Sequence, residues 1–209
     1  MVFTVAMESR GERAAKEWIE KGNITYVNVI DRNHVVSDLY NMVNVPQGVW
    51  IDEQGTIVRP TEVTGASGSR NMDKRKKIRD FYVQALRDWV LQGEQSPYYL
   101  TAEEARKRVQ TPSADVLLAH AQFHLGQYLW QQGQRSEAAQ MLAQAAELNP
   151  DSWNMFRQFK NLEHPAGSIS QAFYDRVEAF LKQGKEYYPL ADLPGYEQHV
   201  KGKKESDNP

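Results

Sequence analysis

Up to Val58 short β-branched apolar runs alternate with stretches of helical spacing, and beyond it helical spacing prevails. Val2-Phe3-Thr4-Val5-Ala6 is the kind of run found in strands covered on both faces. Ser9 and Glu12 have capping-box spacing and predict a helix with Ala14, Ala15, Trp18 and Ile19 on one side, ending near Gly22. A second strand, Ile24 to Ile30, precedes a short helix around Val35 to Met42, with Asp31 or Asn33 as candidate caps. Val45-Pro46 interrupts the pattern before a strand at Gly48-Val49-Trp50-Ile51. Asp52-Glu53-Gln54-Gly55 then reverses the chain into Thr56-Ile57-Val58, so 49–58 read as a hairpin. Strands alternating with helices and followed by a hairpin predict an α/β sandwich with a mixed sheet.

After a Gly/Ser-rich loop over 64–71, residues 73–92 form an amphipathic helix with Ile78, Phe81, Tyr82, Ala85, Leu86, Trp89 and Val90 on one face. The run Lys74-Arg75-Lys76-Lys77 reads as a solvated face; positive charge opposes the dipole there, so the first turn is expected to fray. Thr101 and Glu104 form a second capping-box signature for a helix to about Val109, and Thr111-Pro112-Ser113 resets the chain. Residues 113–133 and 136–149 read as a helix pair joined at Gly133-Gln134 and stopped by Pro150, with a third helix beginning over 152–162. Residues 170–183 predict another helix with Phe173, Val177, Phe180 and Leu181 inward. From Tyr187 the chain is Pro-rich, and Lys201 to Pro209 reads as a charged tail.

Composition narrows the function classes. The 209 residues carry 25 Lys+Arg against 27 Asp+Glu, a net charge of −2 with no basic field for nucleic acid. Apolar runs are too short for a membrane span. Met1 to Met7 is apolar but brief, and Glu8, Arg10, Glu12 and Arg13 follow at once, unlike a secretory signal. Zero cysteines exclude disulfides, thiolate metal sites and a cysteine nucleophile within these residues.

The helix pair resembles a tetratricopeptide repeat. With Ala119 as the first of 34 positions, Leu125, Gly126, Leu129, Ala138, Leu142, Ala145 and Pro150 fall on the pattern's small, apolar and terminating places. Gln122 departs where a large aromatic is preferred, and Phe123 beside it is expected to serve instead. Only one full copy is present, so the unit must pack on something else.

Asn44-Val45-Pro46, Gly48-Val49-Trp50-Ile51-Asp52, Gly55, Ile57-Val58 and Gly65, in an order of strand, helix, strand, helix and hairpin, resemble a thioredoxin-like domain of the TlpA/ResA-type redoxin family over residues 2–66. The resemblance implies a cis bond before Pro46 and a substrate-binding role for the backbone of Val45 and for Pro46. It also implies thiol–disulfide exchange by a Cys-x-x-Cys pair on a strand and helix preceding Val2, neither of which is in this sequence. That missing strand would be central, and losing its ladder would leave buried amides unsatisfied at about 1–3 kcal/mol each. The expectation is therefore that residue 1 is not the native start and that another ~80 residues precede it; the alternative is a degenerate descendant kept as a packing module.

The expected organisation is a partial thioredoxin-like domain (1–66), a linker with an amphipathic helix (67–112), a tetratricopeptide-like helix pair (113–165), and a C-terminal helix with a flexible tail (166–209). No residue emerges as catalytic, and no cofactor is implied. His120 and His124, at i and i+4, are half of a metal site without a third ligand, so no metal is expected. His34 reads as a cap or loop residue because no nucleophile accompanies it. Asp52 fits the hairpin turn, which leaves Asp31 without a catalytic carboxylate partner. Trp50, Trp89, Trp130 and Trp153 read as core. The leading expectation, from the resemblance, is a redoxin-related oxidoreductase by ancestry (thiol–disulfide or peroxide-reducing), inactive without its active-site cysteines, with a protein or peptide docked on the helical region. The alternative is a non-catalytic scaffold for a peptide or helix. As written the chain suits the cytosol, and export would need a preceding segment.

Overall fold

The structure, a computed structural model, describes residues 1–109, 111–163 and 170–201. Tertiary contacts divide the chain into two compact units, Met1–Val43 with Pro112–Ser170, and Asn44–Thr111 with Gln171–Pro209.

In the first unit, β1 (Phe3–Met7) pairs in parallel with β2 (Val27–Asp31), Phe3 opposite Val27 and Met7 opposite Asp31. The connecting helix α1 (Glu12–Lys21) is not capped by Ser9: Gly11 sits at its N-cap with φ 77°, and no side chain bonds there. The Gly11 amide donates to the Glu8 carbonyl (2.8 Å) in a turn that encloses Ser9 and leaves it outside the helix. Of the side chains expected to face inward, Ala15 is buried and Trp18 is exposed.

After α2 (Val35–Leu39), this unit continues with α5 (Ala114–Gln131), α6 (Arg135–Leu148) and α7 (Trp153–Glu163). Ser113 caps α5 by accepting from the Val116 amide at 3.3 Å. Ala119, Phe123, Leu142, Ala145 and Met155 form the core of this helical part. Phe123, not Gln122, is the buried aromatic of the hairpin, and Ala138 is fully buried. A Cβ on Gly126 would stand 2.7 Å from Leu142 Cγ, which explains the small residue at the crossing. Leu125, by contrast, is exposed. The Trp153 amide bonds the Val43 carbonyl at 2.7 Å and Asn154 Nδ2 the Met42 carbonyl at 2.6 Å, which fixes the start of α7 against the chain leaving α2.

In the second unit, β3 (Gln47–Ile51) pairs antiparallel with β4 (Ile57–Val63), Gln47 opposite Val63 and Ile51 opposite Ile57. Asp52 Oδ1 accepts from the Gln54 and Thr56 amides at 3.0 and 2.7 Å, the turn role expected of it. Helix α3 (Met72–Gln92) does begin in order: Asn71 caps it at the Lys74 amide, Asp73 supplies an acid in the first turn, and Lys76 pairs with Asp80. Val90, expected on the apolar face, is exposed. The Thr101–Glu104 capping box forms in both directions at the head of α4 (Ala102–Arg108). Helices α8 (Gln171–Lys182) and α9 (Tyr196–Lys201) complete the unit, with Leu181 of α8 exposed.

Two readings change. The sheet is not one mixed sheet; among the described residues β1 pairs only with β2, and β3 only with β4. The contact boundaries consequently fall at 43/44, 111/112 and 170/171 instead of at 66, because Asn44 onward joins the hairpin core. Segment 190–196, in the Pro-rich stretch ahead of the expected tail, belongs to the core. Ala191, Leu193 and Tyr196 are buried with Trp50, Val58, Ile78, Tyr82 and Ala85, and the Tyr196 hydroxyl donates to the Ile78 carbonyl at 2.7 Å. The charged tail beyond Lys201 and the segment 164–169 lie outside the described residues.

Candidate functional site

The polar residues of the first unit gather where its parallel strands end. Glu8 and Ser9 follow β1, Asp31 closes β2, and His34 and Asp38 lie on the α2 segment; ligand sites of parallel sheets form at such carboxyl ends. Asp31 is the cap the sequence suggested: its carboxylate accepts from the amides of Val35 (2.9 Å), Val36 (2.7 Å) and Ser37 (3.3 Å). Three donors on one carboxylate satisfy the orphan amides of so short a helix.

His34 occupies the N-cap position of α2 in a left-handed conformation (φ 59°), but its side chain caps nothing. The ring is turned inward, 3% exposed, with its edge on Phe123 at 5.1 Å. Burial lowers its pKa, opposed by the nearby Asp31 and Asp38 carboxylates, so the neutral ring is favoured. Ser9 Oγ lies 3.2 Å from His34 Nε2 and accepts from Gln127 Nε2 at 3.1 Å. The nucleophile that the sequence denied to His34 is thus present in space. A Ser–His pair acts when a third group orients the imidazole, and His34 Nδ1 is buried without a hydrogen-bond partner among the described residues.

His120 and His124 turn to the same carboxylate. His120 Nδ1 is 2.9 Å from Asp38 Oδ1, and His124 Nε2 bonds Asp38 Oδ2. Burial pushes the Asp38 pKa up, but the hydrogen bonds from the two histidines outweigh it and hold it at about 2. The bond to Asp38 raises the pKa of His124, against the opposing effect of burial. The i, i+4 spacing was the signal for this cluster; Asp38, 82 and 86 residues away along the chain, was not. Among the described residues no group of three or more His, Cys, Asp or Glu is arranged to hold a metal ion, and no helix is long and apolar enough to cross a membrane.

In the second unit the Val45–Pro46 bond is cis, as the resemblance implies. The backbone that the resemblance assigns to substrate is engaged within the chain: the Val45 amide donates to Asn44 Oδ1 at 2.8 Å, and its carbonyl accepts from the Tyr188 hydroxyl at 3.0 Å. Asn44 Nδ2 donates to the Tyr187 carbonyl at 2.8 Å, so the segment after α8 is tied to the loop twice. Pro46 itself is exposed. Comparison with protein-family models, curated proteins and solved structures finds no match to this chain.

Proposed function

We propose that this chain is a redoxin-related, thioredoxin-like protein that works as a non-catalytic scaffold, docking a protein partner on its tetratricopeptide-like helices. The observation that carries the reading is the outer face of α5. Leu117, Leu118, Leu125 and Tyr128 are 59%, 49%, 46% and 58% exposed. At 100° per residue they share an arc of about 100° with the exposed Ala114 and Ala121. That is the width of a core-facing stripe, and here it stays exposed among the described residues. A contiguous apolar face of this kind marks an interaction site, suited to an apolar-faced helix or peptide.

Thiol–disulfide exchange, the activity of the resembled family, needs a thiolate to attack a disulfide, and these 209 residues hold no sulfhydryl. The internal bonds on Val45 also favour the scaffold, since an extended substrate would have to displace the Tyr188 hydroxyl. Support for the redoxin ancestry itself comes from the parallel β1–α1–β2 unit and from the hairpin β3–β4 followed by α3.

A photo-crosslinking residue at Ala121 tests the docking. The expected result in cells is a discrete protein adduct, lost on Leu118→Asp with Leu125→Asp and absent with the crosslinker at the exposed Glu137 of α6. Circular dichroism checks that the double variant stays folded. No adduct at Ala121, or one indifferent to the double variant, overturns the reading.

A further inference from the structure

We propose that Asp38, gripped by His120 and His124, is a pH-sensitive latch that fastens the short helix α2 to α5. The inference is independent of the scaffold reading. Its basis is geometric: both oxygens of one carboxylate are taken by two imidazoles one turn apart on another helix. Helix α2 spans five residues, Val35–Leu39, too few to be stable alone. Other restraints on it include the Asp31 cap and the packed His34 ring at its start, and the Trp153 and Asn154 bonds to the Val43 and Met42 carbonyls beyond its end.

The charged and titratable groups around the latch are Asp31 at the end of β2, Glu8 after β1, His34 before α2 and His120 on α5. Glu8 is occupied by Arg10, whose guanidinium meets it at 2.8 Å. Asp31 lies close enough to favour the charged form of His124, and it is held in place by the α2 amides. His34 works in the opposite sense, because burial opposes its charging.

The direction in pH follows. The folded pKa of His124 is raised above its unfolded value near ~6.5, so its contribution is full below that value and is lost as pH rises through the folded one. Asp38 is held at about 2 against ~3.9 unfolded, so its contribution is full above the unfolded value and is lost as pH falls toward the folded one. The pKa of buried His34 is lowered, so its neutral form adds stability above ~6.5 that is lost as pH falls through the folded value. The latch is therefore full between about 3.9 and about 6.5, and weakens as pH falls toward the Asp38 value or rises through that of His124; charging of the buried His34 ring costs the surrounding fold separately.

Amide exchange and histidine NMR on the full chain test this between about pH 6 and about pH 9. The amides of Asp38, Tyr40 and Met42, which close the α2 segment on the His34, Val36 and Ser37 carbonyls, should lose protection about fivefold as His124 discharges. Asp38→Asn should abolish that step and return the His124 titration to an ordinary or lower value. Should the variant fail to fold, the wild-type His124 titration still decides. A midpoint at or below ~6.5 overturns the latch, as does protection that stays flat with pH or a step that persists in Asp38→Asn.

Discussion

Gly126 shows how much one absent methyl group can decide. It lies inside α5, where glycine costs roughly 1 kcal/mol in helix propensity relative to alanine. Propensity alone would make Gly126→Ala stabilising. The added Cβ, however, would meet Leu142 Cγ at 2.7 Å and the Leu142 backbone nitrogen at 3.2 Å. Neither is the free end of a flexible side chain, and overpacking of this kind costs about 1–3 kcal/mol. The crowding term is the larger, so Gly126→Ala should lower the urea midpoint by a net amount on the order of 1 kcal/mol; a rise would show that the helices separate freely. His34 carries a related lesson. Its residue type suggested a loop cap, but left-handed backbone at φ 59° sends the ring inward, where Ser9 and Phe123 receive it.

Elements with local signals were legible, and those held by distant partners were not. The Thr101–Glu104 box, the Asp52 turn and the Asp31 cap each close within six residues, so residue type and spacing suffice. Ser9 had the same spacing and failed: the chain turns at Glu8–Gly11, Gly11 takes the N-cap, and the Ser9 hydroxyl accepts from Gln127, 118 residues on. The segment before α9 gave no sign of burial, since Pro-rich sequence has no periodicity to display. In space it supplies Ala191, Leu193 and Tyr196 to the core around Trp50. Leu193→Ala should therefore cost about 2–5 kcal/mol, as a buried leucine does, measured by equilibrium unfolding; a loss under about 0.5 kcal/mol, the surface value, would show that the segment is not part of the core.

For the molecule as a whole, absence of cysteine sets the chemistry and contact topology sets the units. A reductase assay of the 209-residue chain on a disulfide substrate with dithiothreitol should show no rate above the uncatalysed reaction; catalysed turnover would mean that a group other than a thiolate carries electrons here.

The sequence by itself determined the positions of most helices, the hairpin turn, the small residues at the α5–α6 crossing and the lack of thiol chemistry. Each depends on composition or on spacing within a few turns, where backbone geometry dictates which residues are neighbours. Only the tertiary structure decided that the strands form two separate pairs, that 190–196 is core, and that Asp38 joins His120 and His124. Those facts depend on pairings between residues far apart in the chain, which follow from the folding of the whole and leave no periodic trace in either partner.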